Sequence, residues 1–200
     1  MMLAASRTRI LLLALALLAG GAFAEPPQSR QQALAQLATE DTAARLDALL
    51  RDDNPLVRDY AEQALWAIWS RSGNAAIDQL MARGVQQMEA QDYKAAIATF
   101  GDIIRRKPEF AEGWNKRATV YYLAGEDRKS IADCAEVLKR NPRHFGALSG
   151  LGLIYTRLGR YDEALAWLRK ALDVNPNMVG VEMNIERIEQ LLAEKRGKQI

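Results

Sequence analysis

Pro108, Pro142 and Pro176 stand 34 residues apart in this chain of 200. Proline lacks the backbone N–H and its ring clashes with the preceding turn, so it can follow a helix but not continue one. Three prolines at one spacing, with the same apolar pattern between them, mark three copies of one helical unit. A helix pair of this size cannot bury its apolar face alone, so the copies must stack into a solenoid. Such arrays present a groove to another protein more readily than they build an active site.

Aligned on their prolines, the units run Ile77 to Phe110, Ala111 to His144 and Phe145 to Met178. Each opens with a large apolar residue (Leu80, Trp114, Leu148), followed four residues later by a small one (Gly84, Ala118, Gly152). A small side chain there lets the second helix of the unit approach closely. Ala96, Ser130 and Ala164 are again small, and Phe100, Cys134 and Leu168 fill the space beside them. Short turns separate the paired helices at Gln91-Asp92-Tyr93, Gly125-Glu126-Asp127 and Gly159-Arg160-Tyr161, as helix hairpins need. These residues resemble the tetratricopeptide repeat (TPR), a 34-residue helix–turn–helix with small residues at the helix crossing and a terminal proline. Two positions depart from the pattern: Gln87 stands where Tyr121 and Tyr155 recur, and Asp127 where Tyr93 and Tyr161 recur. The resemblance implies an all-α fold, a right-handed α-solenoid of helix hairpins over residues 74–178.

Beyond Pro176, Val181, Ile185, Ile188 and Leu192 recur at helical spacing among Glu182, Glu186, Arg187, Glu189 and Gln190. One apolar stripe and one charged face suit the exposed end of a solenoid, so residues 179–196 are expected to form a C-terminal capping helix. Before the repeats, Asp53 or Asn54 can cap a helix starting at Pro55, with Val57, Ala61, Ala64 and Ile68 along one face. The run Pro55-x-Val57-Arg58 followed by spaced alanines is similar to a single HEAT repeat. Residues 41–73 are therefore expected to form a HEAT-like helix pair that caps the array, with Trp66 and Trp69 packing at the junction.

The first 24 residues differ in kind. Arg7 and Arg9 precede an apolar run from Ile10 to Ala19, and Ala22-Phe23-Ala24 supplies a small-x-small cleavage site. This is the pattern of a secretory signal peptide, and the run is too short for a membrane span of about 20 residues. Residues 25–40 would then be a leader and the start of the first helix. Loss of Arg7 and Arg9 leaves 25 basic and 25 acidic residues, without the positive bias that nucleic acid or an anionic membrane surface selects. The basic run Arg105-Arg106-Lys107 reads as a helix C-terminus that complements the dipole rather than as a phosphate site. Cys134 is the sole cysteine, which excludes an internal disulfide, and its place between Phe100 and Leu168 reads as that of a small buried apolar side chain.

The search for chemistry finds no catalytic, cofactor or metal motif. The single histidine, His144, lies in a turn between units and reads as a surface or capping residue. Zinc-protease, Cys-x-x-Cys, nucleophile-elbow and phosphate-loop patterns are missing, so the chain is expected not to be an enzyme and to carry no cofactor. By resemblance, the first helices of successive units line a concave groove. Its expected residues are Asp78, Met81, Val85 and Met88 from unit one. Unit two adds Glu112, Asn115, Thr119 and Tyr122 with Lys116 beside them, and unit three adds Ser149, Leu153, Thr156 and Arg157. Gly146 and Gly150 leave room there. Met81 and Val85 have a second reading as core, because apolar stripes at helical spacing usually pack inward. Some members of the family clamp a terminal carboxylate with cations and asparagine; here Met81, Val85, Gly146 and Gly150 stand where several of those charges would be needed.

The chain thus reads as a non-enzymatic adaptor or scaffold that binds a protein or peptide in its groove. The expected location is the periplasm of a Gram-negative bacterium, with no membrane span after signal cleavage. An accessory or enzyme of cell-wall glycan processing, with the repeats positioning substrate, is the alternative, and self-association through the ends of the array stays open.

Overall fold

The structure is a computed structural model that describes residues 40–197. The signal-peptide and leader readings for residues 1–24 and 25–39 fall outside that span. The described residues form nine helices and no strands, and they divide at Gly73 into two compact units.

The first unit holds α1 (Glu40–Leu49) and α2 (Pro55–Trp69). Asn54 rather than Asp53 caps α2, its Oδ1 accepting the Leu56 N–H at 3.0 Å, and Pro55 fills the first helical position, where no N–H is needed. Ala61, Ala64 and Leu65 face inward with Leu46 and Leu50 from the preceding helix and its end. Trp66 and Trp69 meet edge to face, with ring centroids 5.5 Å apart.

The second unit carries the array: α3 (Ala75–Glu89), α4 (Tyr93–Arg106), α5 (Ala111–Leu123), α6 (Asp127–Arg140), α7 (Phe145–Arg157), α8 (Tyr161–Val174) and α9 (Val179–Gly197). α3 pairs with α4, α5 with α6 and α7 with α8, and each second helix also packs on the helix that follows it. This is an α-solenoid in which α4, α6 and α8 all end two residues before their proline. The hairpin turns repeat as faithfully. Gln91, Gly125 and Gly159 are equivalent and all adopt positive φ, at 60°, 76° and 70°. In each turn the next N–H returns to a carbonyl five residues back, as in Asp92 to Gln87, Glu126 to Tyr121 and Arg160 to Tyr155. Left-handed backbone at a helix end favours glycine, so Gln91 holds a strained version of the turn that its two counterparts make freely.

The small residues at the helix crossing are set by their partners. A Cβ on Gly84 would lie 2.5 Å from Phe100 Cε1, and one on Gly152 would lie 2.4 Å from Leu168 Cδ2. Phe100 and Leu168 are fully buried, each contributing about 1.5–3 kcal/mol of apolar burial. In unit two the partner is the smaller Cys134, and Ala118 is accommodated beside it, both buried. Arg117 ties α5 to α6 through two bonds to the buried Asp133, at 2.7 and 2.8 Å. Arg105 and Arg106 end α4 and pair with Asp102. α9 turns Val181 and Ile188 inward, with Ile185 and Leu192 half-buried, while Val179 and Met183 stay exposed on its other side.

Candidate functional site

A cavity of about 180 Å³ opens between α5 and α7. Asn115, Thr119 and Tyr122 of α5 and Ser149 and Leu153 of α7 line it, so five of the groove residues expected from the sequence come together here. Gly146 and Gly150 keep the α7 wall low: a Cβ on Gly150 would meet only Cys134 Sγ, at 3.9 Å. Cys134 also lines the cavity, with Ala118 and Ser130 beside it. These inner residues were not anticipated as part of a site. The signal was present, because Cys134 departs from the bulky Phe100 and Leu168 at the same repeat position.

The polar groups lean toward accepting bonds. Thr119 Oγ1 donates to the Asn115 carbonyl at 3.0 Å, and Ser149 Oγ donates to the Gly146 carbonyl at 3.1 Å. Their lone pairs remain as acceptors. Asn115 donates through Nδ2 to Glu112 Oε2 at 3.1 Å, which leaves its carbonyl oxygen as the amide's other end. Cys134 contributes no nucleophile: burial, assisted by the neighbouring Asp133 charge, pushes its thiol up to about 12.

Other expected groove residues sit elsewhere. Met81 is buried with Ile77, Ala96, Phe100 and Ile103, and half-buried Val85 and Met88 pack against the same cluster. Their second reading, as core, describes this placement, because Gly84 draws that flank of α3 onto the α4 ring of Phe100. Asp78 is exposed on α3, and Thr156 is half-buried with its hydroxyl bonded to the Gly152 carbonyl at 2.8 Å. Arg157 stacks on Tyr122 with its guanidinium carbon 3.8 Å from the ring centroid. It also donates to the Tyr122 carbonyl at 2.9 Å and pairs with Asp127. It is an engaged cation beside the cavity-lining Tyr122 and is not itself part of the cavity wall.

Glu112 corrects the sequence reading. Its side chain is 0 % exposed and does not face open groove. Lys116 Nζ lies 3.2 Å from Oε1, while His144 Nε2 and Asn115 Nδ2 both lie 3.1 Å from Oε2. Burial alone would raise this carboxyl, but the His144 bond and the Lys116 charge outweigh it and hold the group below its ordinary range. His144 is also fully buried rather than on the surface. It does cap a helix: its Nδ1 accepts the Ala147 N–H at 3.1 Å at the start of α7. The equivalent Phe110 gives α5 no side-chain cap. Among the described residues, no three His, Cys, Asp or Glu side chains gather to hold a metal.

Residues 81–137 and 146–178 match models of the tetratricopeptide repeat. A TPR repeat-containing protein of Rhizobium etli is 32 % identical over 163 residues, covering 80 % of each chain. Among solved structures, the first TPR of Spaghetti (RPAP3) bound to the HSP90 peptide SRMEEVD superposes with a TM-score of 0.56. It is 21 % identical and covers 58 % of this chain and 93 % of its own. The TPR2B domain of yeast Sti1 in its pHsp70 complex gives 0.55 at 20 % identity, covering 59 % and 99 %. At those identities the structural likeness speaks for the fold alone. Among the described residues, no helix is long and apolar enough to cross a membrane.

Proposed function

The chain belongs to the tetratricopeptide-repeat family, and on that premise we propose that it is a non-enzymatic adaptor that holds a protein or peptide between α5 and α7. One observation carries the reading: successive first helices leave an open cavity whose wall is apolar at Leu153 and polar at Asn115, Thr119 and Ser149. Such a site takes one apolar side chain of a ligand and accepts bonds from the N–H groups beside it. Similarly folded domains hold peptides, as the HSP90 peptide on the Spaghetti domain illustrates. The recognition differs from a carboxylate clamp, because Lys116 and Arg157 are engaged with Glu112 and Asp127. Affinity here comes from shape and a few anchors. The cell envelope is the proposed place of work, on the strength of the charged start, short apolar run and cleavage site in residues 1–24.

A photo-crosslinking residue at the exposed Thr119 tests this in cells. Gly150→Leu fills the cavity from a helix position where a side chain improves helix propensity. A partner captured in the otherwise native chain and lost with Gly150→Leu is the expected result. Equal capture by both would remove the cavity from the function.

A further inference from the structure

We propose that the buried His144–Glu112 pair positions two walls of the cavity, the first turn of α7 and Asn115, and that adding a proton to His144 Nδ1 loosens them. The functional consequence rests on the groove reading above; the structural coupling does not.

The tautomer follows from the contacts. Nδ1 accepts the Ala147 N–H at 3.1 Å, so it carries no hydrogen. Nε2 faces Glu112 Oε2 at 3.1 Å, and Glu112, held below the ordinary carboxylate range, is an acceptor. The ring is therefore neutral with its hydrogen on Nε2, donating to Glu112. Each side of the ring does a different job. Nδ1 fixes the start of α7, whose first two turns bring Gly146, Ser149 and Gly150 to the cavity. Nε2 holds the oxygen that also receives Asn115 Nδ2, so the opposite wall depends on the same pair. Glu112 opens unit two and His144 closes it 32 residues later, where the chain enters α7 of unit three.

A second proton can enter only at Nδ1. There it would face the Ala147 N–H, two donors opposed, and the cap bond must break. Glu112 of α5 faces the ring directly at 3.1 Å, and Lys116 of the same helix reaches it through the other carboxylate oxygen at 3.2 Å. Arg143 precedes the histidine in the turn and is exposed. The cap is thus present while the ring is neutral and lost once it is charged. The cavity has firm walls on the alkaline side of that transition and a frayed α7 wall on the acid side.

His144 is the only histidine in the chain, so nitrogen-labelled histidine reports on it alone by NMR. The full chain, followed from about pH 7.5 to about pH 5.5 where imidazoles change charge, should show the Nε2–H tautomer at the upper end. As the ring titrates, the Ala147 amide should exchange roughly five- to tenfold faster after correction for intrinsic rates, the size of a lost cap. The Gly146, Ser149 and Asn115 resonances should move with the same midpoint. His144→Asn keeps a capping oxygen that cannot titrate and should abolish all of these changes. Should that variant prove unstable, Glu112→Gln/His144→Asn places an uncharged amide opposite the asparagine and serves the same comparison. An Nδ1–H tautomer, a ring that never titrates in the folded protein, titration without movement of α7, or unchanged pH dependence in the asparagine variant would overturn the proposal. No ligand is needed, so failure here leaves the groove reading standing, and failed crosslinking leaves this coupling standing.

Discussion

Units two and three are built on one pattern yet differ where it matters most. At the crossing of α7 and α8, Gly152 leaves room for Leu168, which fills the space completely. At the crossing of α5 and α6, Ala118 faces Cys134, and part of the space stays open as the cavity. The two exchanges, glycine for alanine and leucine for cysteine, compensate for each other in volume at the crossing itself. They do not compensate beyond it, where the missing leucine branches would have reached. A repeat can therefore acquire a pocket without disturbing its helix packing. The requirement is that both partners at the crossing change together.

Breaking that pairing gives the largest expected effect. Gly152→Ala puts a Cβ 2.4 Å from Leu168 Cδ2 and should cost about 2–3 kcal/mol by overpacking. Gly152→Ala/Leu168→Cys recreates the arrangement of unit two. In urea unfolding it should be more stable than the sum of its single variants by about 1 kcal/mol or more. Strict additivity would mean that the crossing residues are not coupled.

The polar junction offers the next test. His144→Ala removes the cap of α7 and one partner of buried Glu112, for an expected loss of about 1–3 kcal/mol. Because Glu112 is held below its ordinary range, its share of stability is complete above the unfolded carboxylate range. That share fades as pH falls through the still lower folded value. Glu112→Gln should flatten the acid limb of a stability profile below about pH 4.5; an unchanged limb would show that other carboxylates govern it.

The smallest effect comes from the turns. Gln91 adopts φ 60° where Gly125 and Gly159 stand in the other units, so Gln91→Gly should raise stability by about 0.5–1 kcal/mol. A loss instead would show that the glutamine side chain contributes more than the strain removes.

The sequence carried most of the architecture because it states each rule three times. Prolines, crossing residues and turns sit at one period, and copies in register remove the ambiguity of any single segment. The site was less legible for identifiable reasons. Apolar spacing cannot tell which flank of α3 faces Phe100, and so Met81 fitted groove and core equally well. An acidic residue in the first turn of a helix looks solvated; Glu112 is buried because of a histidine 32 residues away. The cavity sums small side chains from three helices, Ala118, Cys134 and Gly150, which no one-dimensional window brings together.

The central claim is that the partner sits between α5 and α7, and an amide-shift footprint tests it most directly. The purified chain, titrated with a peptide from the partner captured at Thr119, should show its largest shifts at Asn115, Gly146, Ser149 and Gly150. Gly150→Leu should erase them while the spectrum stays folded. Shifts concentrated in α3 or α9, with α5 and α7 silent, would contradict the account.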